Sequence, residues 1–115
     1  MTTSQLREYT VKPGEMAAWI DEWRSRIVPL RLKHGFKVVG AWTVDGTDQF
    51  VWIVSYDGPK SFQEADAAYY QSPDRKAIDP DPMTAYRASG YEARVAKERE
   101  ESRAARGATA GASYA

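Results

Sequence analysis

The sequence predicts an α+β domain: four antiparallel strands with two helices on one face, in the order βαββαβ. Three observations predict it. Short β-branched and aromatic stretches, residues 4–11, 36–44 and 49–56, carry the strand pattern. Between the first two, apolar residues recur at steps of three and four. Turn-forming residues separate these stretches at Lys12-Pro13-Gly14, Asp45–Asp48 and Asp57-Gly58-Pro59.

Each element follows in order. Ser4–Val11 alternates and ends in Tyr9, Thr10 and Val11, a first strand. From Glu15 onward Met16, Trp19, Ile20, Trp23, Ile27 and Leu30 form one apolar helical stripe. Glu15, Asp21 and Glu22 lie towards its start and Arg31 and Lys33 at its end, as the helix dipole prefers. Pro29 removes a backbone donor inside this helix and should kink or restart its last turns. Gly35 follows His34 as the left-handed residue closing the helix. Phe36–Val44 and Gln49–Tyr56 pair as a hairpin around Asp45-Gly46-Thr47-Asp48. Ser61-Phe62-Gln63-Glu64 matches a capping box opening a second helix to about Gln71. Ser72-Pro73 starts a further short helix through Ile78, Asp79–Pro82 reads as rigid and non-helical, and Ser89–Ala96 alternates as a fourth strand. One domain over residues 1–96 results, with a charged and then Ala/Gly/Ser-rich tail over 97–115. The order is the ferredoxin-like arrangement.

Composition narrows the function. Sixteen basic and sixteen acidic residues cancel, so no net field points to nucleic acid or an anionic membrane. The chain has no cysteine, hence no thiol nucleophile or thiolate ligand, which fits a reducing compartment. No stretch approaches a membrane span and the first residues carry no signal-like apolar run, so a cytoplasmic protein is expected. There is no nucleophile elbow and no phosphate-binding glycine loop. The one histidine also lacks a metal-ligand spacing such as H-E-x-x-H. Metal, nucleotide and hydrolase chemistry are set aside as expectations.

Both strands of the hairpin are apolar at nearly every position. Two helices cover only one face of a four-stranded sheet, so the other would expose roughly several hundred Å² of apolar surface, enough to mark an interaction site. A two-fold homodimer with sheets face to face is the simplest closed solution.

The segment LREYTVKPGEMAAWIDEWRSRIVPLRLKHGFKVVGAW, with QFVWIVSYDGPKSFQEA after it, resembles the NIPSNAP family. The shared signatures are the R-x-Y-x-x-K-P-G opening, a tryptophan-bearing helix, the P-L-x-x-K-H-G-F helix end and the V-G-x-W strand. The resemblance spans about Leu6–Ala77 and implies a dimeric α+β barrel. It implies no single activity. Wider fold relatives include cofactor-independent monooxygenases, cyclases, isomerases, haem-degrading oxygenases and plain ligand-binding proteins, with the cleft between each sheet and its own helices.

Against that background Arg7, Glu8, Tyr9 and His34 are candidate catalytic residues. Alternation puts Arg7 and Tyr9 on one face of the first strand and Glu8 on the other. A carboxylate in an aromatic cleft would have its pKa raised and could serve as a base; paired in the sheet or at a dimer contact, it is structural. His34 is first a helix terminus, donating to the last carbonyls. As a minority reading it is an acid–base group or a haem ligand. Trp19, Trp23, Trp42, Trp52, Tyr56 and Tyr69 are candidates to bind a flat organic ligand, or else ordinary core. Whether Trp42 and Trp52 share a face depends on the hairpin register. Asp66, Tyr69 and Tyr70 could reach a cleft mouth, and Arg75 could bind a carboxylate. The expected function is a small-molecule enzyme needing neither metal nor nucleotide. A non-catalytic binding or interaction dimer is the alternative, and a haem oxygenase the further one.

Overall fold

Period-two segments pair with one another first. In the computed structural model, which describes residues 2–86 and the backbone of residues 94–98, β1 (Thr3–Thr10), β2 (Phe36–Thr43) and β3 (Gln49–Tyr56) form an antiparallel sheet with β3 between the other two. The backbone of β4 (Arg94–Glu98) runs antiparallel beside β1, giving the order β2-β3-β1-β4. The expected strand at Ser89–Ala96 begins outside the described residues. Its observed pairing runs on to Glu98, inside the stretch assigned to the tail.

Register decides which residues share a face. Arg7 stands opposite Trp52, and Tyr9 opposite Phe50. Phe36 stands opposite Tyr56, and Ala41 opposite Trp52. These residues make up the inner face, because the helices pack on them. Trp19 and Trp23 stand edge-on to Phe50, and Phe62 and Tyr69 edge-on to Phe36. Between Val38 and Gly40 the register slips by a bulge. Strict alternation from Phe36 would put Trp42 on the inner face. The extra residue puts Ala41 there instead and turns Trp42 outward, opposite Val51.

The apolar stripe forms a broken helix. α1 (Met16–Glu22) passes into a π-helical turn (Trp23–Ile27) and then α2 (Val28–Lys33). The Val28 N–H reaches the Trp23 carbonyl, five residues back. Pro29, in the first turn of α2, has no N–H to give Ser25. The expected disturbance thus begins upstream of the proline. α2 ends with the His34 N–H on the Leu30 and Arg31 carbonyls, and Gly35 takes φ +89°.

α3 (Phe62–Gln71) opens on the predicted cap: Ser61 Oγ accepts from the Glu64 N–H and donates to the Glu64 carboxylate. Phe62, Ala65 and Tyr69 are its buried stripe. α4 (Pro73–Lys76) is shorter than expected. The segment read as non-helical through Pro82 needs correction, since α5 (Pro82–Ala85) starts on that proline. Proline suits the first helical position, and the Asp81 carboxylate caps the Met83 N–H.

The outer face is less bare than a sheet covered on one side only would be. Val51 is buried, and Leu6, Trp42 and Ile53 are half-buried. Among the described residues the exposed large hydrophobics are Leu32 and Val39.

Gly35→Ala should cost roughly 1–2 kcal/mol, because an L residue is strained at this positive φ. The new methyl would meet the Tyr56 ring at 3.6 Å, an ordinary contact, so the loss reads backbone strain alone. A urea midpoint lowered at unchanged slope is the check.

Candidate functional site

Alternation on β1 sends the Arg7 side chain inward, where the helices leave it almost no access to water. A buried guanidinium must find partners, and three elements supply them. Gln5, two residues along the same strand, accepts from Arg7 Nη2 at 3.0 Å and from Nε at 3.3 Å. Asp66 and Tyr70, one helical turn apart on α3, take the rest. Arg7 Nη2 donates to Asp66 Oδ1 at 3.1 Å and Nη1 to the Tyr70 hydroxyl at 3.2 Å.

Arg31 comes to the same two acceptors from α2. Its Nη1 donates to Asp66 Oδ1 at 2.6 Å and its Nη2 to the Tyr70 hydroxyl at 3.3 Å. Arg31 is 1% exposed, more buried than most of the core. Its guanidinium carbon lies 3.8 Å from the Tyr69 ring centre and 4.6 Å from that of Phe36, close enough for cation–π attraction. Two guanidiniums against one carboxylate leave one positive charge in excess. Burial pulls the Arg7 pKa down, but Tyr9, Tyr70 and Asp66 outweigh it and hold the group above its ordinary value. Burial pushes the Tyr9 phenol up, opposed by the Arg7 charge. Both groups keep their ordinary charge states at neutral pH.

A second set lies one ring away. His34 stands edge-on to Tyr69 at 5.5 Å, and its Nε2 meets both Asp74 oxygens at 3.1 and 3.3 Å. The side chain therefore bridges to α4, while the backbone N–H closes the helix; the expected side-chain bond to the last carbonyls is replaced. Lys33 Nζ donates to Asp74 at 2.8 Å. Burial also raises the Tyr69 phenol, opposed by Arg31 and Arg75. Arg75, itself buried, donates to Asp81 at 3.0 Å. Among the described residues, the Nε–H groups of Arg31 and Arg75 have no hydrogen-bond partner.

Of the sequence candidates, Arg7 and Tyr9 share the inner face and Glu8 lies on the opposite one, half-buried. Trp19, Trp23 and Trp52 fill the layer between sheet and helices. The pocket beside Trp19, lined also by Tyr9, Val11 and Met83, is apolar and about 10 Å³, the size of one water. Tyr56 is buried, tilted on Phe36 at 5.1 Å, with its hydroxyl end against the α-carbon of Gly58. Trp42 is on the far side of the sheet from Trp52. Tyr69 is buried rather than at a cleft mouth, whereas Asp66 and Tyr70 are half-buried. Sequence reasoning missed Arg31 and Gln5. Arg31 follows Leu30 in the apolar stripe at a position that reads equally as a dipole-facing end, so only the packing separates the two.

The described residues do not fit a haem: His34 turns Nε2 to Asp74, and tryptophans close the layer where a porphyrin would lie. Among the described residues no group of His, Cys, Asp or Glu is placed to hold a metal ion. Nor is any helix among them long and apolar enough to cross a membrane.

Asp66→Asn should destabilise the fold by about 3 kcal/mol, the lower end for breaking a buried pair, since Asp66 keeps 24% exposure. Two like charges would be left facing each other, and a denaturation curve measures the loss. At the surface, the Lys33 ammonium first, then the Ser72 hydroxyl and His34, hold the Asp74 carboxyl well below its ordinary 3.8. A depressed carboxyl pKa stabilises the fold above that ordinary value, and the contribution is lost as pH falls below it. Asp74→Asn should therefore lower stability slightly near neutral pH and make no difference well below 3.8. Melting temperatures across that range check the sign.

The fold and this cluster can now be compared with known proteins. The family model described as NIPSNAP matches residues 4–86. No curated protein matches the chain. An uncharacterized NIPSNAP domain protein from Burkholderia xenovorans is similar in structure, with a TM-score of 0.70 at 14% identity over 84% of this chain and 92% of its own. A NIPSNAP family protein from Agrobacterium tumefaciens gives a TM-score of 0.71 at 12% identity, covering 86% of this chain and 92% of its own. A putative antibiotic biosynthesis monooxygenase from Nitrosomonas europaea gives 0.61 at 13% identity, covering 84% and 88%. These identities carry the fold, ferredoxin-like α+β, and the family rests on the matched model. The chain belongs to the NIPSNAP family.

Proposed function

We propose that this NIPSNAP protein is a cytoplasmic small-molecule enzyme working without metal or nucleotide, of the oxygenase, cyclase or isomerase type. Its substrate is a flat organic compound that carries or develops negative charge on oxygen. The observation that carries this reading is the convergence of two buried guanidiniums on one carboxylate oxygen and one phenol oxygen, with one positive charge left over. Fixed cations in a dry site stabilise an oxyanion far better than water does, because nothing must reorient when the charge appears. Tyr70 beside them, half-buried, offers a flat surface at the open side. Such a site favours a substrate that supplies its own reactivity, once deprotonated, towards oxygen or an internal electrophile. Structural neighbours named as putative antibiotic biosynthesis monooxygenases support the same class. Tyr9, on the Arg7 face, belongs to this site, whereas Glu8 does not.

The outer sheet face is the proposed homodimer contact. Leu6, Trp42, Val51 and Ile53 lie together on it, and a stable pair would bury about 800 Å² on each partner. A second reading, a ligand-binding dimer without turnover, is favoured by one observation: the tryptophans fill the layer where a substrate cleft would lie.

A fluorescence titration with an aromatic carboxylate such as salicylate tests the site, with Trp52 as a nearby reporter. Arg31→Met should weaken binding markedly, because it removes the surplus positive charge of the cluster. Equal affinity in wild type and variant would remove the arginine pair from the reading. Sedimentation velocity should show a two-chain species; a single-chain one overturns the dimer.

A further inference from the structure

Tyr70 differs from its neighbours in what its oxygen still has to offer. A phenolic oxygen carries one hydrogen and two lone pairs. Arg7 Nη1 at 3.2 Å and Arg31 Nη2 at 3.3 Å occupy both lone pairs. A guanidinium has no acceptor, so the Tyr70 hydrogen goes to neither arginine. Asp66 Oδ1 already accepts from both arginines, and Gln5 Oε1 accepts twice from Arg7. Among the described residues no bond from the Tyr70 O–H to an acceptor is found, Asp66 Oδ2 included, so the hydrogen is left to point away from the cluster.

The geometry also says where a ligand would meet it. Arg7 is 5% and Arg31 1% exposed, so both cations sit behind the surface. Tyr70 and Asp66 are the half-buried members, on the same face of α3. The charges therefore act outward through the Tyr70 oxygen, polarising its O–H into a stronger donor. Asp66, half-buried beside it, presents only acceptors.

We propose that Tyr70 is the residue that donates directly to the ligand's anionic oxygen, and that the ligand is a monoanion of the phenolate or enolate class. This rests on the arginine pair being an anion site. A neutral phenol can also accept from Tyr70, but only the phenolate meets the surplus positive charge with an opposite one. Selection of the deprotonated form follows: two lone pairs filled, one hydrogen to give, one surplus charge to neutralise.

The probe is 4-nitrophenol, whose phenolate and phenol absorb at different wavelengths. Bound to the wild-type chain, its apparent pKa should fall. Arg31→Met should abolish the displacement, and Tyr70→Phe should cut it to less than half while the far-ultraviolet dichroism stays native. A full displacement in Tyr70→Phe, with loss in Arg31→Met, overturns the role of Tyr70 and leaves the arginine site standing. No displacement in the wild type overturns both. If Tyr70→Phe does not fold, Tyr70→His decides, since its ring can accept from a guanidinium through one nitrogen and donate through the other. A displacement kept in Tyr70→His is the expected result, and its loss counts against the proposal.

Discussion

The oxygen Oδ1 of Asp66 holds the inner layer of this protein together. It accepts from Arg7 on β1 and from Arg31 on α2, and it is carried by α3. Each arginine would be untenable alone, because a guanidinium out of water needs charge and hydrogen bonds in compensation. Once both converge on one carboxylate, the strand and the two helices are tied together at one point. The aromatic rings around them complete the set: Phe36, Trp52, Tyr69 and Tyr70 all approach Arg31 within cation–π range. Polar pairing supplies direction here, and apolar burial supplies most of the free energy.

That arrangement also divides the sheet–helix layer into two parts. Trp19, Trp23, Phe50 and Trp52 interlock edge to face and close one end of the sheet–helix layer. The polar cluster sits where that packing gives way to Tyr70 and Asp66, both reachable from solvent. His34 and Asp74 lie beyond Tyr69, outside the cluster, and tie α2 to α4. The lone histidine is thus a bridge between elements, while the buried charges belong to residues of unremarkable type in unusual surroundings.

Much of the fold was legible in the residues. β3 has the bounds its pattern implies, α3 begins on the Ser61–Glu64 box, and Gly35 has the positive φ expected after a helix. Each is a local signal, decided within a few residues by periodicity, capping or backbone freedom. The α5 start at Pro82 shows the same rule misapplied, since Asp-Pro is as good a helix opening as it is a break. Of the cluster, alternation made legible that Arg7 shares a face with Tyr9, but not that this face is the inner one. Asp66 and Tyr70 could be named as exposed candidates but not joined to anything.

The sequence by itself determined the order of elements, which residues of β1 share a face, the Ser61 cap and the family signatures, because those depend on neighbours along the chain. Only the tertiary structure decided the rest. Whether Trp42 faces Trp52 turns on one bulged residue at Val39, and a single slip exchanges the two faces of a strand. Whether Arg31 ends a helix in water or enters the core depends on a carboxylate 35 positions away. Periodicity is a property of one segment, whereas a buried charge is settled by what three segments bring to the same point.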